Sequence, residues 1–341
     1  MFPEDEPLRT SSRASSRGLA AASFSFAQGI LRVLLAVALF SSAAQAAWPN
    51  DRPIEIMVGY QAGSGPDILA RRMALALPRY LAGASFVVTN RPGASGEIAL
   101  TALSRAEANG YTIGTLTTPS FIIVEHVKTP QYDPAEILPL ARVVDDPTLI
   151  AAGGASAVND LTDVVGRLKA APASLTIGHN GIGTNGHLAT LAIERAAGVR
   201  LTDVPFKGTS ESRTALLGGH VDLVAMSVSE FAMDREAKNL FKALVQFGPT
   251  RAKVLPDVPT AHDRGFDIEI STERGFAVRR GVPADVVARL EEAIAAAVTD
   301  PEFLRGTTSE EMALAYLPSA GWIASMAARK ARYEAIWGAA K

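Results

Sequence analysis

The chain has 341 residues, a formal net charge of −2 and no cysteine. This nearly neutral balance lacks the basic excess of a nucleic-acid-binding surface, so we expect no nucleic-acid partner. A chain without cysteine forms no disulfide, no thiolate metal site and no cysteine nucleophile. These classes of structure and chemistry are therefore excluded at the start.

Residues 1–46 have the features of a cleavable export signal. Arginines supply positive charge, a short apolar run follows, and small residues precede the expected cleavage site. The run is shorter than the roughly 20 residues that span a bilayer, although an uncleaved anchor or a buried helix remains the alternative. We therefore predict a periplasmic protein whose mature chain begins at or near Ala47. The features are Arg13, Arg17 and Arg32, the run Val33–Phe40, and Ala44-Gln45-Ala46.

Strand-like and helix-like stretches then alternate, which indicates an α/β fold with mostly parallel sheets. The first group has strands Ile54–Val58, Phe86–Thr89 and Thr112–Leu116 and helices Ile68–Leu81 and Gly96–Arg105. The strand Leu149–Ala152 precedes Gly153-Gly154-Ala155-Ser156, whose small residues suit a crossing between domains.

A second group follows, and the chain then returns to the first. The second group has strands Leu175–Gly178, Leu201–Val204, Val221–Met226 and Phe241–Gln246 and helices Leu161–Ala170, Gly186–Ala197 and Ser210–Leu217; the returning part has helices Pro283–Val298 and Ala320–Ile336. We predict two lobes, with residues 47–152 in lobe 1, 153–240 in lobe 2, and 241–341 crossing back to complete lobe 1. Two crossings leave a cleft between the lobes, beyond the carboxyl ends of the strands.

A glycine-rich turn joins the first strand to the first helix. Gly63 and Gly65 allow backbone N–H groups to approach a ligand closely, and the helix that starts near Asp67 adds its positive N-terminal end. The turn is therefore suited to an anion such as a carboxylate. For Asp67 itself we expect a structural role, capping the helix and fixing the loop.

A second glycine pattern favours a different function. Gly181, Gly183 and Gly186 form a literal G-x-G-x-x-G between a strand and a helix, and Asp203 follows about 20 residues later, as in dinucleotide-binding proteins. An NAD-binding oxidoreductase is therefore an alternative. The glycines begin three residues after the strand ends and lie in mid-chain, which is atypical of that fingerprint. His187 also stands where a phosphate-binding loop needs lysine.

Other chemistry lacks its usual residues. The chain has no G-x-S-x-G turn and no pair of histidines at helical metal-ligand spacing, so we predict no enzyme activity, no metal and no cofactor. The remaining histidines are dispersed, and we expect them to be surface or locally hydrogen-bonded residues. They are His126, His179, His220 and His262.

From about Trp48 to Trp337 the chain resembles the Bug family, the extracytoplasmic solute receptors of tripartite tricarboxylate transporters. No one segment decides this; their order and spacing together do. The segments are Tyr60 through Gly63, Gly65 and Asp67; Asn90–Gly96; Gly110–Thr112; Tyr132–Pro134; Gly183-Thr184 with His187; Val204–Gly208; Leu216–Asp222; and Leu255–Thr260.

The resemblance implies a two-lobed, type II periplasmic-binding-protein fold, with two sheets flanked by helices and a ligand cleft between the lobes. It also implies a small carboxylate or related organic anion as ligand, membrane permease subunits as partners, and, we expect, a monomer. A ligand-sensing partner of a signalling protein remains an alternative. The ligand-binding residues implied are Tyr60, Gly63, Ser64, Gly65, Asp67, Thr117 and Thr118 from lobe 1 and Asn180, Thr184, Asn185, His187, Phe206, Lys207 and Ser227 from lobe 2.

Three departures from the family pattern concern the ligand. Ser64 adds a hydroxyl to the first loop, and Met226-Ser227 replaces a polar pair with an acidic member. Glu273-Arg274 replaces an aromatic pair; Arg274 would add a positive contact, or the two would form an exposed ion pair. Because Met226 cannot pair with an ammonium group, we predict an organic acid without an α-amino group.

Overall fold

The computed structural model describes residues 48–233, 240–305, 308 and 311–338. The predicted leader, residues 1–46, lies outside this part of the chain. Residues from Trp48 onward form one unit by their contacts. Within the described ranges, no helix combines the length and apolarity that a membrane crossing requires.

Ten strands of the described chain form one sheet with the order β2-β1-β3-β9-β4-β7-β5-β6, in which β8 and β10 pair with β4. Parallel pairs join β1 to β2 and β3, and β5 to β6 and β7. The strands are β1 (Ile54–Val58), β2 (Phe86–Asn90), β3 (Thr112–Thr117), β4 (Ile137–Gly153), β5 (Thr176–His179), β6 (Thr202–Pro205), β7 (Leu223–Ser227), β8 (Phe241–Gln246), β9 (Ser271–Arg279) and β10 (Leu314–Pro318).

Helices follow most of the parallel strands, as the alternating pattern predicts. The helices of the described residues are α1 (Gly65–Ala76), α2 (Glu97–Ser104), α3 (Ser120–Val127), α4 (Leu161–Ala170), α5 (Asn185–Ala197), α6 (Thr209–Leu217), α7 (Val228–Met233), α8 (Ala284–Ala297) and α9 (Ser319–Gly338). The prediction of an α/β fold is confirmed.

The long strand β4 connects two halves of the sheet. From Ile137 to Pro147 it pairs with β9, and from Thr148 to Gly153 it pairs with both β7 and β8. We call β1, β2, β3, β9 and β10 the first half-sheet, and β5, β6, β7 and β8 the second half-sheet. Both half-sheets are completed by a part of β4.

The chain changes half-sheets at positions that differ from the predicted lobe boundaries. The predicted strand 149–152 lies within the second part of β4, so the first change falls inside β4 and not at Gly153-Gly154. Strand β8 pairs with β4 in the second half-sheet, so the return falls between β8 and β9. A local pattern cannot show this, because a strand keeps the same pattern when its hydrogen-bonded neighbour changes.

Apolar residues cover both faces of each half-sheet. Four of the five residues of β1 are buried, as expected for a parallel strand with helices on both sides. Helix α9 contributes to both cores: Trp322 belongs to the apolar cluster that includes Leu116 of β3, and Tyr333 belongs to the core of the second half-sheet. The two half-sheets are therefore joined by α9 as well as by β4.

Candidate functional site

A cavity of about 480 Å³ lies between the loops of the two half-sheets; we call it the cleft cavity. Its first wall follows the carboxyl ends of β2 and β3, and its second wall follows those of β5 and β6. This is the position at which open α/β sheets bind ligands. The lining includes Ser95, Ser120, Phe121 and Val124 on the first wall and Gly181, Ile182, Phe206 and Lys207 on the second.

The cleft cavity combines apolar walls with a few polar groups. The Tyr60 hydroxyl donates to the Ser95 carbonyl oxygen at 3.0 Å and lies 3.4 Å from the Ser120 hydroxyl. Burial raises the pKa of Tyr60, so the phenol stays protonated and can donate. Lys207 is exposed and has no ion pair or hydrogen bond from its ammonium group to any described residue. The Ser120 hydroxyl donates to the Thr117 carbonyl oxygen at 3.1 Å, so among the described residues the Lys207 ammonium group is the free donor that the cleft cavity offers to an organic anion.

The turn between β1 and α1 is held by Asp67. Its carboxylate accepts hydrogen bonds from Gly63 N at 2.9 Å, Arg71 Nε at 3.0 Å and Asn90 Nδ2 at 2.9 Å. Burial alone would raise the pKa of Asp67, but these donors hold it below its usual value. Gly63 has φ +78, a conformation that favours glycine, and Ser64 precedes the helix without a side-chain capping bond. Asp67 thus fixes the turn and does not cap α1.

A buried ionic cluster lies between the half-sheets behind this turn. Arg274 donates to Asp146 Oδ2 at 2.7 Å and to Ser227 Oγ at 2.6 Å, and its Nη2 lies 3.6 Å from Glu230 Oε1. Glu230 accepts from Gly65 N at 2.8 Å. Burial alone would lower the pKa of Arg274, but the two carboxylates raise it above its usual value. We call Arg274, Asp146 and Glu230 the ionic cluster.

The loop after β5 is held by its own hydrogen bonds. Thr184 Oγ1 donates to the Gly181 carbonyl oxygen at 2.6 Å, and Asn185 Nδ2 donates to Thr148 Oγ1 at 2.9 Å. Asn180 Nδ2 donates to Asn185 Oδ1 at 3.3 Å, whereas Asn180 Oδ1 has no partner among the described residues. The Thr184 and Asn185 side chains therefore shape the loop, and Asn180 Oδ1 remains available as a hydrogen-bond acceptor.

Two stacked histidines support the same loop. His179 and His187 have ring centroids 4.9 Å apart, and their Nδ1 atoms accept hydrogen bonds from Gly181 N and Gly183 N, both at 3.1 Å. His179 Nε2 lies 2.6 Å from Asp203 Oδ1. Burial, followed by the charge of His179, lowers the pKa of His187 to about 4. His187 is therefore neutral at pH 7.

These histidines and Asp203 lie close enough together to hold a metal ion. A neutral imidazole whose Nδ1 accepts a hydrogen bond carries its proton on Nε2, the nitrogen that faces Asp203. A cation would have to displace that proton and break the bond to the loop. The arrangement instead fits a hydrogen-bonded support for the binding loop. In this arrangement the Asp203 carboxylate, which the dinucleotide alternative required, is already hydrogen-bonded to His179.

The expected site residues fall into separate groups. Phe206 and Lys207 line the cleft cavity, and Tyr60 lies behind it. Gly65 and Ser227 contact the ionic cluster. Thr117 is the last residue of β3 and its hydroxyl has no described partner; Thr118 follows the strand, and its Oγ1 accepts from Glu273 N at 3.0 Å. Gly63, Ser64, Asp67, Thr184, Asn185 and His187 shape the two loops.

The structure contradicts the exposed Glu273–Arg274 pair and the position expected for Met226, but it does not test the preference for an organic acid without an α-amino group. Glu273 and Arg274 are buried and do not form an exposed pair: Glu273 pairs with Arg142 at 2.6 Å, and Arg274 joins the ionic cluster. The two side chains separate because consecutive residues of a strand point to opposite faces. Met226 packs in the apolar core, so it does not face a ligand and carries no argument about an α-amino group.

The sequence argument missed Asp146, Glu230, Ser95 and Ser120. The acidic residues lie in segments that carried no motif, and their pairing with Arg274 spans 128 residues for Asp146. Ser95 belonged to a segment that supported the resemblance, yet it was not proposed as a ligand contact. The sequence signal that could have identified Ser95 as a site residue is its position directly before Gly96 and the start of a helix.

Comparison with known proteins agrees with this geometry. The chain matches the family described as tripartite tricarboxylate transporter family receptor over residues 69–336. A TctC solute binding protein from Polaromonas is 31% identical, with 85% of this chain and 99% of that one covered and a TM-score of 0.62. The periplasmic binding protein BugD is 26% identical, with coverage of 85% and 98% and a TM-score of 0.77.

A third structure, R. palustris Rpa4515 with adipate, is 26% identical, with coverage of 85% and 97% and a TM-score of 0.78. The fold is thus the α/β fold of periplasmic binding proteins. The chain belongs to the TctC/Bug family of tripartite tricarboxylate transporter receptors. This is a family of binding proteins and not of enzymes, which decides against the NAD-dependent oxidoreductase alternative.

Proposed function

We propose that the protein captures a small carboxylate or related organic anion outside the cytoplasm and presents it to the membrane permease of a tripartite tricarboxylate-type transporter. The cleft cavity carries this proposal, because both half-sheets line it at the carboxyl ends of their parallel strands. We further propose that each half-sheet with its helices is one lobe, and that residues 1–46 direct export and are removed. The receptor acts as a monomer.

The chemistry of the cavity supports an anion with an apolar body. Phe121, Val124 and Phe206 supply apolar surface, and Lys207 supplies positive charge. The relative Rpa4515 was solved with adipate, whose two carboxylates are separated by a methylene chain. Such a molecule would place its chain on the apolar wall and its charges at the polar ends.

Calorimetric titration with adipate, with other dicarboxylates and with amino acids tests the proposal. We expect saturable binding of at least one organic acid in the absence of any cofactor. Ligand at 100 times its dissociation constant should stabilise the fold by about 2.7 kcal/mol, which raises the melting midpoint by several degrees. Binding of NADH with no response to any organic acid would contradict the proposal.

Two matched lysine variants locate the site. Lys207→Ala removes the lysine of the cleft cavity that has no ion pair with a described residue, whereas the lining residue Lys128 is paired with Glu97. We expect a weaker affinity whose dependence on salt is also reduced. Lys169 is an exposed lysine of α4 that does not line the cleft cavity, so Lys169→Ala should leave the affinity unchanged. Equal effects of the two changes would place the ligand elsewhere.

A further inference from the structure

The Glu230 carboxylate occupies an anion-binding position between the two half-sheets. Its Oε1 accepts from Gly65 N at 2.8 Å, and its Oε2 accepts from Ser227 N at 3.0 Å. Gly65 is the first residue of the twelve-residue helix α1, so its N–H has no partner within the helix and points out of the positive end. Glu230 reaches this helix from the other half-sheet.

The same position has more donors than Glu230 uses. Arg274 is 4% exposed, and its Nε has no hydrogen-bond partner in the described part of the chain. Thr117 lies directly opposite Arg274 in the pairing of β3 with β9, is also buried, and has a hydroxyl without a described partner. Residues opposite each other in antiparallel strands share a face of the sheet. Two unpartnered polar groups are therefore side by side.

Buried polar groups usually find partners, so an unpartnered guanidinium nitrogen beside an unpartnered hydroxyl indicates a ligand position. A guanidinium fork binds a planar carboxylate through two of its N–H groups. Gly65 leaves room for these groups: a Cβ at this residue would lie 2.8 Å from Arg274 Cζ and 2.8 Å from Glu230 Oε1. The turn, the arginine and the glutamate thus form one closely packed site.

The charges limit how many carboxylates this site can hold. Arg274 already faces Asp146 at 2.7 Å and Glu230 at 3.6 Å. A third buried carboxylate next to one guanidinium would be strongly repelled by the other two. An incoming carboxylate therefore requires Glu230 to leave its position. Asp146 is held more firmly than Glu230, because it accepts three hydrogen bonds, from Ser229 N, Ser229 Oγ and Arg274 Nη1, whereas Glu230 accepts two from the described part of the chain.

We propose that Gly65 N, Ser227 N and Arg274 form a carboxylate site that Glu230 and a carboxylate of the solute occupy in turn. Glu230 is then an internal competitor: it joins the half-sheets until the solute displaces it, and it weakens the observed affinity for the solute. The identity of the competing molecule rests on the proposed function, whereas the carboxylate site itself does not.

Acetate tests the site without knowledge of the solute. Glu230→Ala opens the position, so we expect a lower melting midpoint that sodium acetate raises again, relative to sodium chloride at equal ionic strength. Glu230→Gln keeps the position filled by a side chain of the same shape, so acetate should stabilise this variant and the wild type less than it stabilises Glu230→Ala. An absence of acetate stabilisation in Glu230→Ala would overturn the site.

Adipate titration tests the competition. Removing the glutamate charge should strengthen adipate binding to Glu230→Gln by about ten- to hundredfold relative to wild type, the range of one hydrogen bond to a charged group. Weaker binding by the variant would make Glu230 a ligand contact and overturn the competitor role. If acetate restores Glu230→Ala but adipate binds neither protein, the carboxylate site stands and the proposed solute class fails.

Discussion

Arg274 is the residue at which the ionic contacts between the half-sheets converge. It is buried together with Asp146 and Glu230, and the three carry one positive and two negative formal charges. Burial raises the pKa of Asp146, although Arg274 and Ser229 favour its charged form. Buried charges of this kind depend on their partners, because each would be costly alone.

Loss of the guanidinium should therefore destabilise the fold. We expect Arg274→Met to lower the free energy of unfolding by about 3–5 kcal/mol, since Asp146 and Glu230 would remain buried without their cation. Urea unfolding of the variant measures this. Arg274→Met combined with Asp146→Asn should lose less than the sum of the two single changes. If Arg274→Met alone lowered the free energy of unfolding by less than about 1 kcal/mol, the ionic contacts of Arg274 would contribute little to stability.

His187 should make stability depend on pH in a mildly acidic window. Its pKa of about 4 in the folded protein lies below the usual 6.5, so the unfolded chain binds the proton more readily. Stability is then constant above pH 6.5 and falls as the pH decreases from 6.5 towards 4. Between pH 6.5 and 5 the loss should be about 2 kcal/mol, from about 1.4 kcal/mol per pH unit.

Urea unfolding at pH 7 and pH 5 measures this loss. His187→Asn is the matched control, because its side-chain oxygen can accept the Gly183 N–H in place of Nδ1 and cannot titrate in this range. The variant should show a flatter dependence. An unchanged dependence would assign the effect to a group other than His187.

At the scale of elements, the turn from β1 into α1 depends on the absence of a side chain at Gly65. Its φ is not in the left-handed region, so backbone conformation does not require glycine here. Steric space requires glycine instead, because an added Cβ would lie 2.8 Å from two charged groups of the ionic cluster. The glycine therefore lets helix α1 approach Arg274 and Glu230.

Gly65→Ala should destabilise the protein by about 1–3 kcal/mol, the usual cost of overpacking. Gly166 in α4 is exposed and has no atom within 4 Å of an added Cβ. Gly166→Ala should instead stabilise by about 0.5–1 kcal/mol, because alanine loses less backbone entropy in a helix. Thermal unfolding of both variants gives the comparison. If Gly65→Ala stabilised the protein as Gly166→Ala does, helix propensity and not steric space would dominate at Gly65.

At the scale of the whole molecule, contacts across the cleft join the two half-sheets. Ser95 Oγ donates to the Ile182 carbonyl oxygen at 2.6 Å, and Ser210 Oγ donates to the Ala62 carbonyl oxygen at 3.2 Å. With the bond from Gly65 to Glu230, they connect the loops that surround the cleft cavity. The half-sheets also share β4, and α9 contributes to the cores of both; Trp337 of α9 packs edge-on against His187, with ring centroids 5.4 Å apart.

Export defines the mature molecule, and it can be tested by mass. We expect the protein isolated from the periplasm to begin at or near Ala47, because small residues at 44–46 follow the apolar run Val33–Phe40. Intact-mass measurement of this fraction gives the N-terminus. Replacing Ala44 and Ala46 with bulky residues should leave the precursor uncleaved. A periplasmic product that retains residues 1–46 would contradict the prediction.

Much of the architecture followed from the sequence, because local patterns carry it. The residues of β1, α4 and β8 matched their predicted ranges, since apolar period and turn residues act over a few neighbours. The glycine-rich loops after β1 and β5 were also recognised, and with them the class of binding protein. Lys207 and Phe206 line the cleft because they directly follow a short strand.

Only the tertiary structure decided which polar groups meet. Arg274 lies 128 residues from Asp146 and 47 from Ser227, and no local pattern links them. Glu273 and Arg274 look like a surface pair in sequence, yet β9 is a central strand, so both are buried on opposite faces. Motifs near each loop therefore identified the cleft, whereas the charge balance behind it depends on contacts that form when distant strands become neighbours.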